Sequence, residues 1–430
     1  MANIAVIGAG ITGITTAYSL LEHGHAVTVI DRHRYPAMET SYANGGQLSA
    51  SNAEVWNHWG TVFKGLAWLT SKDAPLALNP RPSWHKLSWL IEFLANIPNY
   101  RRHTIETTRL AIEARSHLFD IAAREGIEFD LETRGILHVY RDRQSYEHAR
   151  SVNELLRKGG LDRHAVTPEE IRTLEPALPS GLLGGFYTES DATGDIHKFT
   201  RELARACERR GARLLMETTV TGLAASDHTT RLSLQQAPSG SEETFDRVVI
   251  CAGVASRTLA AWAGDRVNIY PVKGYSITVN LNDEASRAAA PWTSVLDDRA
   301  KIVTSRLGND RLRVAGTAEL NGYNRDIRAD RVTPLTAWTQ TMFPGIDTSD
   351  VVPWAGLRPM LPNMMPRVGR GKRASVLYNT GHGHLGWTLS AATAPIVANL
   401  ASEGLPPTPR VGLKRLGSRA PLGGTPRTAG

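Results

Sequence analysis

The sequence predicts an α/β protein that combines a Rossmann-like nucleotide-binding domain with a second, discontinuous α+β domain. Three observations support this fold class. The chain opens with a strand, a glycine-rich loop, a helix and a second strand. Residues 268–314 change to a strand-rich pattern, and helical, glycine-rich sequence returns near Thr333. The region 52–145 also differs, because it holds five of the 10 tryptophans before a long polar helical pattern.

The first 30 residues form a βαβ unit. Apolar residues 3–7 and 26–30 predict two buried strands, and residues 12–23 predict a helix that ends at Gly24. A right-handed crossover makes the two strands parallel neighbours in one sheet.

Further elements follow along the chain. Residues 135–140 predict a strand, and the segment TPEE at 167–170 has the capping-box pattern of a helix start. Residues 197–210 predict an amphipathic helix that stops at Gly211, and residues 245–251 predict another strand.

With 430 residues, the chain is long enough for two sizeable domains. We expect both domains to be assembled from separate segments. The expected boundaries are 1–51, 145–265 and 345–404 for the nucleotide-binding domain, 52–144 and 266–344 for the second domain, and 405–430 for a basic, disordered tail.

The formal charge of +7 is concentrated at the C-terminus. Five basic residues and no acidic residue follow Leu405, namely Arg410, Lys414, Arg415, Arg419 and Arg427. The rest of the chain is close to neutral, so we expect a solvated basic tail and no nucleic-acid partner.

Cysteine content and hydropathy bear on location. The two cysteines, Cys207 and Cys251, cannot form a disulfide framework, which favours a reducing compartment. We expect Cys251 to be buried rather than linked to a cofactor. The N-terminus lacks a signal-peptide pattern, and no apolar run approaches the ~20 residues of a membrane span. These observations predict a cytoplasmic protein.

The loop of the βαβ unit reads Gly8-Ala-Gly10-Ile-Thr-Gly13. The first glycine allows a tight turn, the second lets a pyrophosphate approach the backbone, and the third lets the helix pack on the strand. Asp31 lies 18 residues after Gly13 and can accept hydrogen bonds from a ribose. It would repel a 2′-phosphate, despite the neighbouring Arg32. These features indicate dinucleotide binding and leave FAD and NAD both open.

Two more segments are polar and rich in glycine. Residues 39–49 can lie along a ribityl chain and a flavin ring, although, taken alone, an ordinary polar loop explains them better. Residues 379–388 precede an Ala/Leu-rich helix whose N-terminus can stabilise a negative charge. His382 and His384 lie in this segment, but two histidines without a third ligand make a poor metal site, so we expect no metal.

Together these segments resemble the D-amino-acid oxidase superfamily of FAD-dependent oxidoreductases, and within it the bacterial D-amino acid dehydrogenases. The resemblance covers roughly residues 1–400. Its motifs, beyond the N-terminal loop, are METSYANGGQLS, YPVKGYS, DDRAKIVTSR, RVAGTAELNGYN, WAGLRPMLPN and NTGHGHLGWT. The chain departs from the family at 362–366, where PNMMP replaces a Pro-Asp-Gly type of turn.

The resemblance implies a flavoprotein with FAD bound by a glutathione-reductase type of domain. The residues that it places around FAD are Gly8, Gly10, Gly13, Asp31, Arg32, Thr40, Ser41, Asn44, Gly45, Gln47, Val220, Ala252, Gly253, Gly381, His382, Gly383, Leu385, Gly386, Trp387 and Thr388.

The resemblance also implies two substrate-binding residues. Arg358, in WAGLRP, matches the arginine that binds the substrate carboxylate, and a guanidinium can hold both carboxylate oxygens. Tyr275, in KGYS, is a candidate phenol donor near the substrate, although a core tyrosine on a strand fits almost as well. Lys273 is a weaker candidate for flavin or oxygen chemistry.

The implied activity is oxidative deamination of D-amino acids. Hydride passes from Cα to flavin N5, and water converts the imino acid to a 2-oxo acid and ammonia. Such an enzyme belongs to amino acid catabolism. A sister oxidase or dehydrogenase acting on glycine, sarcosine, proline or hydroxyproline would share every motif, and only the resemblance indicates D stereochemistry. An NAD-dependent dehydrogenase would share only the first 31 residues.

An aromatic-rich stretch at 56–93 bears on the identity of the electron acceptor. Aromatic, apolar and basic residues alternate in it, namely Trp56, Trp59, Phe63, Lys64, Trp68, Leu69, Lys72, Trp84, Lys86, Trp89 and Phe93. Such residues suit a bilayer interface and the core of the second domain equally well. We expect peripheral contact with the inner membrane, and a quinone or another respiratory-chain component as electron acceptor.

Overall fold

The computed structural model describes residues 1–68 and 76–403. The expected basic tail, together with Leu69 and Lys72 of the aromatic stretch, lies outside the described residues.

The helices, numbered in chain order, begin and end as follows: α1 Ile11–Glu22, α2 Trp59–Trp68, α3 Trp84–Ala95, α4 Tyr100–Glu125, α5 Arg143–Lys158, α6 Pro168–Leu174, α7 Ile196–Arg209, α8 Ser256–Trp262, α9 Glu284–Ala289, α10 Ala329–Met342 and α11 Gly386–Ser402.

The strands are numbered in the same way. The first ten are β1 Asn3–Ile7, β2 Ala26–Ile30, β3 Gln47–Leu48, β4 Leu76–Leu78, β5 Ile136–Tyr140, β6 His164–Val166, β7 Gly184–Thr188, β8 Ala192–Thr193, β9 Arg213–Leu215 and β10 Thr219–Ala225. The others are β11 Thr230–Gln236, β12 Ser239–Phe245, β13 Arg247–Ile250, β14 Tyr270–Asn280, β15 Ser294–Asp297, β16 Ile302–Leu307, β17 Arg311–Leu320, β18 Val351–Met360, β19 Arg367–Arg370 and β20 Val376–Thr380.

A six-stranded sheet contains the N-terminal βαβ unit. Its strand order is β19-β20-β13-β1-β2-β9, parallel except at the β19 edge. Residues of β1 alternate between two cores, because successive side chains of a strand point to opposite faces. Ile4 and Val6 pack under α1, α7 and α11, whereas Ala5 and Ile7 pack towards β10–β12 and α8. The predicted parallel βαβ unit is confirmed.

A second sheet has nine strands, in the order β18-β14-β17-β16-β15-β5-β7-β6, with β4 also paired to β17. Helix α10 covers one face, where Ile277, Val314 and Leu335 share a core. Helix α3 packs Trp89 and Phe93 against the start of β14. The strand-rich pattern predicted for residues 268–314 corresponds to β14, β15, β16 and the start of β17.

Several predicted boundaries match the helices. The capping box is present at α6, where the Thr167 hydroxyl accepts from the Glu170 amide and the Glu170 carboxylate accepts from the Thr167 amide. Helix α7 ends just before Gly211, whose φ of +94° is accessible to glycine at little cost. The α/β fold class is confirmed.

The two sheets divide the chain somewhat differently from the expected domain boundaries. Strands β6 and β7 and strand β18 belong to the nine-stranded sheet, although 145–265 and 345–404 were expected in the nucleotide-binding domain. We therefore propose that the chain crosses to the second domain at β6–β7 and again at β18. The reason is hydrogen bonding: β18 pairs with β14 along its whole length.

Candidate active site

A cavity of about 1140 Å³ lies between the two large sheets. Its walls include the loops after β1, β2 and β13, the strands β14, β17 and β18, and the N-terminal end of α11. All the predicted cofactor-binding residues line it except Gly13, and so do Arg358 and Tyr275.

The glycine-rich loop forms one end of the cavity. Gly8 has a φ of +110°, and a Cβ there would lie 2.6 Å from the carbonyl oxygen of Cys251. A Cβ on Gly13 would lie 1.8 Å from the carbonyl oxygen of Gly8, so Gly13 allows α1 to approach β1 and does not itself face the cavity. Gly10 faces the cavity, and a Cβ there would have only the Ser41 hydroxyl nearby, at 3.4 Å. The positive φ of Gly8 and the close contact at Gly13 fit the predicted turn and packing roles, and the role of Gly10 beside a pyrophosphate stays a prediction.

Asp31 follows β2 at the same end of the cavity. Its Oδ2 accepts a hydrogen bond from the Ala9 amide at 2.7 Å, and its Oδ1 accepts from the His33 amide at 2.9 Å. Each carboxylate oxygen keeps a further lone pair, so the fixed carboxylate can also accept from a ribose hydroxyl.

The neighbouring Arg32 is neutralised by Glu39. Glu39 also accepts from His33 at 2.8 Å and from Arg325 at 2.6 Å. Burial opposes ionisation of this carboxyl, but the hydrogen bonds from Arg325, His33 and Arg32 outweigh it and lower the pKa of Glu39 to about 2. Because Arg32 is already paired, it is poorly placed to receive a 2′-phosphate, which favours FAD or NAD over NADP.

The polar loop 40–47 lines the cavity and is anchored on the second sheet. Ser276 donates to the Ala43 carbonyl at 2.7 Å, and Arg313 donates to the Asn44 carbonyl at 3.0 Å. The Gln47 amide donates to the Ser294 hydroxyl at 2.8 Å. The loop is therefore held as part of the cavity wall, with Thr40, Ser41 and Gly45 also lining it.

The segment 381–388 also lines the cavity and leads into α11. Gly381 and Gly383 have φ values of +77° and +60°. Several buried polar atoms of the cavity wall have no hydrogen-bond partner within the part of the chain that the structure describes, namely Thr317 Oγ1, His382 Nδ1, His384 Nδ1 and Trp387 Nε1. Buried polar groups normally have partners. The glycine cradle and these unsatisfied groups together fit a large polar cofactor such as FAD.

Arg358 lies on β18, with its guanidinium directly over Gly274. A Cβ on Gly274 would lie 2.3 Å from the Arg358 Cζ atom. Its NH1 donates to the Thr317 carbonyl at 3.4 Å, and no acidic side chain among residues 1–68 and 76–403 pairs with it. Loss of solvation lowers the pKa of Arg358 to about 10, so the group remains charged at neutral pH. An unpaired cation at the cavity wall can bind an anionic group.

Tyr275 differs from its expected role. Its hydroxyl donates to Glu319 at 2.6 Å, and its ring packs in the core under α10. Lys273, two residues earlier, pairs with the same carboxylate at 3.0 Å and is fully buried. The alternating direction of side chains on β14 turns Tyr275 and Lys273 away from Gly274 and Arg358. We therefore propose that the phenol is a core group, although Tyr275 contributes to the cavity lining, and that it is not a substrate donor.

Three polar residues of the cavity wall, Glu54, His58 and His148, were not predicted from the sequence. Glu54 accepts from the Tyr100 hydroxyl at 2.6 Å and lies 3.6 Å from His148 Nε2. His58 packs between the rings of Tyr100 and His148, with centroid distances of 4.9 and 5.7 Å. The group is assembled from the loop before α2 and from α4 and α5, so no local sequence motif unites it.

The histidines of the segment 381–388 are neutral. Burial lowers the pKa of His382 to about 3 and that of His384 to about 4. His384 stacks on Trp56 with a centroid distance of 4.7 Å. Within the described residues, no three His, Cys, Asp or Glu side chains cluster as a metal site. Cys251 is buried, and burial raises its thiol pKa to about 12.

A family model described as FAD dependent oxidoreductase matches residues 3–400. The chain is 61% identical over 408 residues to D-amino acid dehydrogenase 3 of Mesorhizobium japonicum, covering 94% of this chain and 98% of that protein. It is 41% identical over 420 residues to a D-amino acid dehydrogenase of Paramagnetospirillum magneticum, covering 93% and 94% of the two chains.

Solved structures share the fold at lower identity. Glycine oxidase from Geobacillus kaustophilus has a TM-score of 0.73 at 21% identity, covering 93% of this chain and 94% of that one. L-Proline dehydrogenase from P. horikoshii has a TM-score of 0.73 at 17% identity, covering 94% of each chain. At such identities the likeness concerns the fold alone.

Proposed function

Because this chain belongs to the FAD-dependent oxidoreductase family and uses FAD, we propose that it deaminates D-amino acids oxidatively to 2-oxo acids and ammonia. The observation that carries the proposal is Arg358, a desolvated guanidinium without an acidic partner among the described residues. The names of the two relatives support the D-amino acid as substrate.

The residues that would hold FAD are the predicted cofactor-binding residues that line the cavity. Gly8 and Gly10 would admit the pyrophosphate, and Asp31 would accept from the ribose. The loop 40–47 and the segment 381–388 would enclose the ring system. When bound, FAD accepts the hydride that leaves Cα of the amino acid.

The chain's own contribution is positioning. Arg358 binds the substrate carboxylate and so fixes the direction of the Cα–H bond. The stacked Trp56 and His384 close the wall beside it. The substrate ammonium releases a proton to solvent before the hydride leaves, and water then converts the imino acid to the 2-oxo acid and ammonia. Because His384 has a pKa of about 4, it places no competing positive charge beside the guanidinium.

The direct test of this function is product analysis. Purified enzyme with a soluble quinone analogue should convert D-alanine to equal amounts of pyruvate and ammonia, and L-alanine should react at least ~10²-fold more slowly. Equal rates with both enantiomers, or product from glycine or proline only, would refute the proposal.

The electron acceptor forms a second part of the proposal. Helices α2 and α3 expose apolar side chains on the outside of the cavity wall, with Trp59, Phe63 and Trp84 exposed by 55%, 65% and 77%. Their inward residues Val62 and Phe93 line the cavity. Contact of this surface with a bilayer would bring the cavity wall close to membrane quinone.

The residues of the aromatic stretch fall into a buried group and an exposed group. Trp89 and Phe93 are buried in the core, whereas Trp59, Phe63 and Trp84 are exposed. The expected basic contribution of Lys86 is wrong, because that side chain is buried and donates to the carbonyl groups of residues 79 and 81. No described helix is both long and apolar enough to cross a bilayer.

We propose peripheral membrane contact through α2 and α3 and reoxidation by a quinone. Turnover of D-alanine should be at least ~10-fold faster with a quinone analogue than with oxygen, and the protein should co-sediment with vesicles of anionic phospholipid. Hydrogen peroxide formed at the full turnover rate, without vesicle binding, would contradict this part of the proposal.

A further inference from the structure

Glu54 places a negative charge in the same cavity as Arg358. It lies in the loop between β3 and α2, close to Tyr100 of α4 and His148 of α5. Both of these partners contact Oε1, at 2.6 and 3.6 Å. The second oxygen, Oε2, has no hydrogen-bond partner within 1–68 and 76–403, and the side chain remains 31% exposed. The carboxylate therefore has one fixed oxygen and one oxygen available to a ligand.

The charge of Glu54 is maintained in this environment. Burial alone would favour the neutral acid, but His148 and Tyr100 outweigh burial and lower the pKa of Glu54. A further cation, Lys301 in the β15–β16 turn, also lowers this pKa, and it is itself paired with Asp298 at 2.5 Å. The carboxylate is thus ionised at neutral pH, and its contacts with Tyr100 and His148 both involve Oε1.

Glu54 and Arg358 lie within electrostatic reach of one residue. The ring of His384 stacks on Trp56 with a centroid distance of 4.7 Å, and its Nε2 lies 3.4 Å from the Asn52 carbonyl, so it contacts the loop on both sides of Glu54. Burial lowers the pKa of His384, and the nearby Arg358 guanidinium lowers it further. The substrate end of the cavity therefore carries a fixed cation and a fixed anion near the neutral His384. This arrangement suits a ligand with an anionic group and, further along, a cation or a hydrogen-bond donor.

The α-ammonium of the substrate is a poor partner for this anion. Hydride can leave Cα only when the amine is neutral, and a carboxylate bound to the ammonium would stabilise the unreactive protonated form. A donor group at the end of the side chain avoids this conflict, because its protonation state does not affect the reacting bond.

We propose that Glu54 is a specificity residue that selects D-amino acids whose side chain ends in a cationic or hydrogen-bond-donating group. This inference rests on the proposed function, in which Arg358 binds the α-carboxylate. A cavity site built for such a donor discriminates against analogues that lack it, because the bound analogue removes water from Oε2 without replacing its hydrogen bond.

The test compares D-ornithine with D-norleucine, which have side chains of similar length, and with D-glutamate. In the wild-type holoenzyme, kcat/KM for D-ornithine should exceed that for D-norleucine by at least ~10-fold, with D-glutamate the poorest. Glu54→Gln should lower kcat/KM for D-ornithine by at least ~30-fold, mainly through KM, and change D-norleucine by less than ~3-fold. Glu147→Gln, one residue before His148 and outside the cavity, is the matched control.

Three results would overturn the inference: a wild-type preference for D-norleucine or D-glutamate, an unchanged preference in Glu54→Gln, or an equal loss with every substrate. If the variant lacks FAD, the wild-type preference alone decides. Failure of the wild type to oxidise any D-amino acid would instead refute the proposed function, so the two failures are distinguishable.

Discussion

Removal of the Arg358 side chain tests the substrate-binding site. The environment lowers the pKa of this guanidinium from its usual 12.5 to about 10, which corresponds to roughly 3 kcal/mol of lost solvation. A bound carboxylate would compensate for that loss by forming a bidentate pair. In Arg358→Leu the carboxylate would enter the same desolvated place without a partner, at a cost of about 2–5 kcal/mol. We therefore expect kcat/KM for D-alanine to fall between about 30-fold and several thousand-fold.

The assay follows D-alanine oxidation with a quinone analogue, after the flavin absorbance has confirmed that FAD is bound. Arg358→Lys retains a charge but not the planar pair of donors, so we expect an intermediate loss of about tenfold. Arg143→Leu, at a position where the side chain is 86% exposed on α5, is the control and should match the wild type. Kinetics within threefold of wild type for a flavin-loaded Arg358→Leu would refute the assignment.

Three further predictions concern the cofactor, the membrane and acid stability. Gly10→Val should yield folded protein without FAD, because the new side chain occupies the space of the pyrophosphate; a full flavin spectrum would contradict this. The double variant Phe63→Ser, Trp84→Ser should lose binding to anionic vesicles and keep its turnover with a soluble quinone, and unchanged sedimentation would argue against the proposed surface. Glu39 has a folded pKa of about 2, below its usual 4.5, so its contribution to stability is complete above about pH 4.5 and is lost as the pH falls towards 2. Urea unfolding should therefore show a flatter acid limb for Glu39→Gln than for the wild type, and parallel limbs would exclude this contribution.

The nucleotide-binding half could be predicted from the sequence because its signal is local. Gly8, Gly10 and Gly13 are contiguous with the strand and helix that they connect, and Asp31 follows at the end of the next strand. Short-range geometry alone fixes these residues relative to each other, and the structure places them as expected.

The side chains of β14 could not be oriented from the sequence. Residues 270–277 are buried on both faces of the sheet, so the hydrophobic alternation that normally distinguishes the faces is absent. The sequence therefore leaves a substrate donor and a core group as alternatives for Tyr275. Its partner Glu319 lies on β17, 44 residues away, and only the pairing of the two strands brings the carboxylate to the phenol.

The role of Glu54 could not be predicted either, because its contacts are also long-range. Its partners Tyr100 and His148 lie on two separate helices, and neither helix carries a motif that points to the loop after β3. A lysine among tryptophans suits a bilayer interface, but the fold turns the Lys86 ammonium towards two backbone carbonyl groups. The contacts of such residues depend on packing between distant parts of the chain, which the pattern of a single sequence does not reveal.

Anaerobic flavin bleaching tests the central claim most directly, because it detects reduction of the bound FAD without any electron acceptor. Stoichiometric D-alanine should bleach the oxidised flavin band completely and release one pyruvate per FAD, while L-alanine, glycine and proline leave the band unchanged over the same time. A band that persists with D-alanine and bleaches with one of the other substrates would contradict the account.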